Sequence, residues 1–364
     1  MGGVAMHIVP GAGSRLVLPS DPLIRYTGRI DDADPAAYGF EFVGCSMRLR
    51  LTGGLLKVCI YNHTNYWQSR LGVVVDGELQ AVLLPENDEA VIDLSAFLHE
   101  GINDVTIFKR QDSSHAFTFH GLIIAEGGEL LPLPERPRRR MEVYGDSVSA
   151  GEVSEAEHCA GQSDPQHQGE YSNAWWSYGW IAARKLGAEI HHVAQGGIAL
   201  EDRTGYFNMP ETIGMLSVYD KVRYNPCYGP VKSWDFTRYT PHVVVLAIGQ
   251  NDAHPVNLME QDPQGPAALH WKDQYAAWVR SLRAKYPRAT FILATTILNH
   301  HPAWDEAIDE VCCLLRETDL RVHHFLYSNN GRGTPGHIRA SEAEIMAQEL
   351  CAFIETLGPE IWDD

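Results

Sequence analysis

Apolar and polar residues change their rhythm once along this chain. Between about residues 25 and 128 the period is two: Met47, Leu49 and Leu51 alternate with Arg48, Arg50 and Thr52, the spacing of a half-buried strand. In VVVDGEL at 73–79 an Asp-Gly pair stands between apolar runs and supplies a two-residue hairpin turn. VTIFK at 105–109 and FTFHGLI at 117–123 continue the series. Helical spacing is nearly absent apart from a short stretch near 94–99. Many short strands separated by turns predict a β-sandwich.

Past residue 140 strands and helices alternate instead. A short strand is expected at 141–144, and Ser172 is placed to cap a helix through Trp176, Trp180 and Ala183 that Gly187 stops. A strand follows at 189–194. VVVLAI at 243–248 is continuously apolar, as a strand buried on both faces must be. Helices are expected over 271–286, 305–315 and 341–356, with another buried strand over 291–295. This alternation predicts a three-layer α/β domain, a parallel sheet with helices on both faces. Between the two patterns lies LPLPERP at 131–137, three prolines in six positions, an extended connector. The chain therefore divides into a sandwich (1–130), a Pro-rich linker (131–139) and an α/β domain (140–364).

Composition adds mainly exclusions. With 364 residues the chain can bury two cores. Its formal net charge of -18 leaves no basic face for nucleic acid or an anionic membrane. The one basic cluster, Arg136 with Arg138, Arg139 and Arg140, reads as a solvated linker. The opening MGGVAMHIVPGAGSRLVL lacks the charged start and apolar core of a signal peptide, and no later run is apolar enough to span a bilayer. Seven cysteines, an odd number without C-x-x-C spacing, read as reduced thiols in a cytoplasmic protein.

In parallel sheets ligands gather at the carboxyl ends of the strands, so polar residues directly after apolar strands are the candidates. YGDSVSAG at 144–151 is the first. Ser147 there can attack a carbonyl while its own N–H stabilises the oxyanion; an ordinary Gly-Asp-Ser turn is the competing reading. The segment lacks the G-x-S-x-G elbow of α/β-hydrolases. Gly196, after the 189–194 strand, can present an N–H to the same oxyanion, or form a plain turn. Asn251, in GQND after the 243–248 strand, can add its amide. His337, just before the last helix, can deprotonate Ser147, though it is one of 17 histidines.

Ser, Gly, Asn and His fall in that order at one sheet edge. GDSVSAG and GQND resemble the first and third blocks of the SGNH (GDSL-type) hydrolases, whose four blocks supply a nucleophile, two oxyanion donors and a base. Gly196 matches more loosely, since Gly197 is also available. A jelly-roll-like sandwich joined by a Pro-rich connector to the GDS strand is similar to carbohydrate esterase family 2. So are FKR at 108–110, GL at 121–122, WDF at 234–236 ahead of PHVVV at 241–245, and YP at 286–287. The similarity runs over about residues 25–357. It implies O-acetyl ester hydrolysis on plant oligosaccharides of xylan or mannan type. Ser147 and His337 would be catalytic, and Ser147, Gly196 and Asn251 the oxyanion hole. No metal or organic cofactor is implied, and the partner is an acetylated oligosaccharide.

The chain departs from that pattern at the third triad position. Many SGNH enzymes carry an aspartate three residues before the base; here Thr334 stands there, and no acid lies between Asp319 and Glu342. A Ser–His dyad is therefore expected, with a main-chain carbonyl near Thr334 or Gly333 orienting the ring. Asp146 and Asp252 read as structural. Ile338 replaces the family's proline after the base, and His323 and His324 are fallback bases. Trp175, Trp176, Trp271, Trp304 and the Tyr66-Trp67 pair are candidate sugar platforms, with core packing the alternative for each; Trp304 and His254 are singled out as substrate-binding. Three other readings stay open: a metal-dependent hydrolase using Asp146, Asp252, His254 and His337, a non-catalytic carbohydrate-binding protein, and an esterase for another acyl substrate.

Overall fold

Up to residue 131 the period-two pattern folds as strands. The longer ones are Ser46–Thr52, Leu56–Thr64, Arg70–Val75, Glu78–Leu83, Ile102–Lys109 and His115–Ala125, distributed over two antiparallel sheets. Met47, Leu49 and Leu51 of one sheet are fully buried and share a core with Val58, Ile60, Phe117 and Phe119 of the other. The expected hairpin turns at Asp76 and Gly77, with φ of 49° and 94°, the left-handed pair that a two-residue turn between twisted strands requires. The computed structural model describes residue 6 and residues 8–363, so the leader reading rests partly on residues outside the described ones.

The second half holds a five-stranded parallel sheet. Its strands are Arg139–Gly145, Ala188–Ala194, Val243–Ala247, Thr290–Ala294 and Val322–His324, in the spatial order second, first, third, fourth, fifth. Alternate residues of the apolar run face opposite ways, as strand geometry demands. Val244 and Leu246 share a core with Trp271, Tyr275 and Trp278 of the Pro266–Lys285 helix. Val243, Val245 and Ala247 share another with the helices Tyr178–Leu186 and Ala340–Thr356. One expectation fails. The helix from Ser172 is two pieces, a 3-10 turn Ala174–Trp176 capped by Asn173 and the helix Tyr178–Leu186 capped by Ser177. Ser177 sits at ψ 147°, outside the helical region, and its hydroxyl accepts the Trp180 N–H. Gly187 does stop the helix, at φ 61°.

The basic linker is also more than a solvated stretch. Arg136 pairs with Glu189 and donates to the Tyr26 carbonyl, and Arg139 donates to the Leu186 carbonyl. Deeper contacts join the halves. Buried Arg29 meets Glu142 Oε1 at 3.0 Å, the Tyr144 hydroxyl at 2.8 Å and the Tyr219 carbonyl at 2.6 Å. Glu41 accepts the N–H groups of Tyr224 and Asn225. The turn after Ile102–Lys109 thus reaches the carboxyl edge of the parallel sheet and delivers Asp112 there.

Candidate functional site

The first parallel strand ends in a turn too tight for a side chain. A Cβ on Gly145 would lie 2.0 Å from Ser149 Oγ. Asp146 caps the short helical turn Ser147–Ala150 by accepting the Val148 N–H at 3.0 Å, which places Ser147 first on the turn. Ser147 lines a cleft of about 490 Å³ with Glu152, Gly196, Asn251 and His337. Aromatic residues Tyr66, Trp67, Tyr206 and Phe207 line it too. Ser, Gly, Asn and His are therefore brought together at the predicted sheet edge.

His337 is not oriented by a main-chain carbonyl. Its Nδ1 lies 2.7 Å from Asp164 Oδ2, and its own N–H donates to Asp164 Oδ1 at 3.1 Å. Arg339 holds the same carboxylate, donating to Oδ1 at 3.0 Å. The expectation of a main-chain carbonyl partner is corrected: the partner of His337 is the Asp164 carboxylate. Asp164 comes from a loop far upstream in sequence, beyond the reach of any local spacing. Thr334, at the position lacking the aspartate, accepts the Gly161 N–H at 2.9 Å and so ties down the loop that carries Asp164. Gly336 leaves room for this contact, since at φ 90° its Cβ would lie 2.8 Å from Asp164 Oδ1.

On its other side the ring faces Glu152, with Oε2 3.6 Å from Nε2. Burial alone would lower the His337 pKa; the Glu152 charge, then the hydrogen bond and charge of Asp164, raise it to about 9. Burial pushes Asp164 up, but its bonds from His337 and Arg339 and the His337 charge bring it down to about 2. A carboxylate at Nδ1 fixes the proton there and leaves Nε2 free to act as base whenever the ring is neutral.

Two of the three expected oxyanion donors already serve protein acceptors. The Gly196 N–H donates to Asp112 Oδ2 at 2.9 Å, and the Asn251 amide donates to the Ile198 carbonyl at 3.0 Å and to Asp146 Oδ2 at 3.2 Å. Asp146 is structural, as expected; burial raises it to about 6 against the pull of its Gln250 and Val148 bonds. Asp252 is structural too, accepting from Leu200 N–H and Trp271 Nε1.

Two residues expected to contact substrate are not part of the cleft lining. Trp304 is fully buried, donates to Asn257 Oδ1 at 3.0 Å and packs edge-on against Trp271, so it belongs to the core. His254 is not in the cleft lining; it is exposed and stacks beneath Tyr206, ring centroids 4.3 Å apart. Trp271 is core as well, whereas Tyr66 and Trp67 do line the cleft. His324, a fallback base, pairs with Asp309 at the sheet edge. Among the described residues no three His, Cys, Asp or Glu side chains are grouped to hold a metal. Sequence reasoning missed Asp112, Glu152, Asp164, Tyr206 and Phe207. Only Glu152 carried a local signal, as an acid directly after the GDSVSAG string.

The parallel sheet, its order and the Ser-Gly-Asn-His edge define an SGNH-type architecture. Residues 26–134 match the family model described as Carbohydrate esterase 2 N-terminal. The chain is 26% identical over 298 residues to the Acetylxylan esterase / glucomannan deacetylase of Cellvibrio japonicus, covering 79% of this chain and 75% of that protein. It is 28% identical over 348 residues to the Cellulase/esterase CelE of Acetivibrio thermocellus, covering 92% of this chain and 39% of that longer protein. A solved family two carbohydrate esterase from Cellvibrio japonicus matches with a TM-score of 0.78 at 25% identity, over 96% of this chain and 98% of that one. The chain is thus similar in sequence and fold to carbohydrate esterases of family 2.

Proposed function

We propose that this protein is a carbohydrate O-acetyl esterase in which Ser147 is the nucleophile, His337 the base and Asp164 the group that orients the base. One observation carries the reading: His337 Nδ1 is bonded to Asp164 at 2.7 Å while its ring and Ser147 line one cleft. Ser147 Oγ attacks the acetyl carbonyl as His337 Nε2 takes its proton. The Ser147 N–H, the Gly196 N–H and the Asn251 amide receive the oxyanion. Negative charge building on that oxygen competes with Asp112 and Asp146 for the last two donors. His337 returns the proton to the departing sugar oxygen, and water then hydrolyses the acetyl-enzyme. No step calls for a cofactor.

The aromatic wall suits sugar faces, and the names of the relatives support acetylated xylan- or mannan-type oligosaccharides as substrate. The domain division at 130 and 140, a jelly-roll-like winding of the first domain and a cytoplasmic setting belong to the same proposal. Acetate release from acetylated xylo- and manno-oligosaccharides tests it. Wild type should release acetate, and Ser147→Ala and His337→Ala should each lose about a thousandfold or more. Full activity in Ser147→Ala would falsify the mechanism.

A further inference from the structure

The proposed chemistry leaves one acid of the cleft without a task. Glu152 follows Gly151, the left-handed residue that ends the Ser147–Ala150 turn. The other carboxylates around the site are saturated. Asp112 accepts from Ser114 N–H, Gln195 Nε2 and Gly196 N–H. Asp146 accepts from Val148 N–H and Gln250 Nε2, and Asp164 from His337 and Arg339. Glu152 accepts no hydrogen bond from any described side chain or main-chain group. Its side chain is only 13% exposed, and its contact with His337 Nε2, at 3.6 Å, is too long for a hydrogen bond.

The position of this unmet acceptor matters. A Cβ on Gly196 would lie 2.5 Å from Glu152 Oε2, so the carboxylate stands between the nucleophile's turn and an expected oxyanion donor. A partly dehydrated carboxylate with no donor is unfavourable, and burial accordingly raises its affinity for a proton. In the proposed mechanism the alcohol portion of the ester departs beside His337 Nε2, 3.6 Å from Glu152 Oε2. Tyr66, Trp67 and Tyr206 line the same cleft and offer aromatic faces to a sugar ring. A sugar ring held there presents hydroxyls on the carbons next to the esterified one.

We infer that Glu152 is a specificity-determining residue that accepts a hydrogen bond from a free sugar hydroxyl neighbouring the acetyl ester, so that partly acetylated sugars are preferred over simple acetyl esters. The inference rests on the esterase reading for its kinetic consequence, but not for binding. Drawing the carboxylate onto the sugar also lessens its pull on the His337 ring, which favours the neutral base while such a substrate is bound.

The test compares wild type, Glu152→Gln and Glu152→Ala on p-nitrophenyl acetate, which has no neighbouring hydroxyl, and on a monoacetylated xylo-oligosaccharide. Each variant should lower the ratio of kcat/KM on the sugar ester to that on the aryl ester by about tenfold or more, read at a pH on the plateau of each variant's profile. An unchanged ratio would overturn the inference. Calorimetric titration with xylotriose in the Ser147→Ala background gives a readout independent of turnover. Adding Glu152→Ala should weaken binding about tenfold; unchanged affinity overturns the role of Glu152. If wild type releases no acetate from any ester, the esterase reading falls alone and this titration still decides Glu152.

Discussion

At His337 two carboxylates act on one ring: Glu152 and Asp164 both favour its protonated form, and in the proposed mechanism Asp164 also fixes its orientation. Replacing Asp164 by Asn frees the wrong ring tautomer, and kcat should fall by about a thousandfold or more with little change in KM. Because the ring must be neutral to act, kcat/KM should rise with pH along a limb lying above the ordinary histidine value of about 6.5. Glu152, Asp164 and Asp146 all push it that way. Glu152→Gln should move the limb down, and an unmoved limb in a pH–rate profile would count against this assignment. Stability follows the same shifts. The raised His337 stabilises fully below about 6.5, and that contribution is lost as pH rises through about 9. The lowered Asp164 stabilises above its ordinary range, and that is lost only as pH falls towards about 2. Asp164→Asn should therefore depress Tm more at pH 5.5 than at pH 10; equal losses at both would contradict the linkage.

At the scale of elements, the site depends on turns that exclude side chains. Gly336→Ala would put a Cβ at 2.8 Å from Asp164 Oδ1 in a left-handed conformation. It should lower kcat in the manner of Asp164→Asn while costing about 1 kcal/mol of stability in denaturant melts. Elements with strong periodicity are legible in the chain's own rhythm: the strands around Met47, the run at 243–248 and the final helix. Boundaries are less so. The helix expected from 271 begins at Pro266, since proline favours a first helical turn and gives no apolar signal to read. The helix expected from Ser172 breaks at Ser177 because a capping hydroxyl there outweighs the continuing apolar pattern.

At the scale of the whole molecule, the two halves share one core and one cleft. Arg29→Met would leave Glu142 buried without its charge partner and should cost about 3–5 kcal/mol. Scanning calorimetry should show a single transition for the full chain, because the core joining the sheets spans both halves; two separate transitions would refute that coupling. By itself the sequence determined the strand and helix rhythm, the sheet edge and the Gly-Asp-Ser turn at that edge, all of which are written in neighbouring residues. Asp146 was readable for the same reason, since it caps its own turn, whereas the partners of Asp252, Leu200 and Trp271, lie far from it along the chain. Only the tertiary structure decided what surrounds that turn. Asp164 reaches His337 from a distant loop, Asp112 reaches Gly196 from the antiparallel sheets, and Trp304 turns inward to the core. Those contacts join residues far apart along the chain, and a pairing made by packing leaves no period or spacing in the sequence.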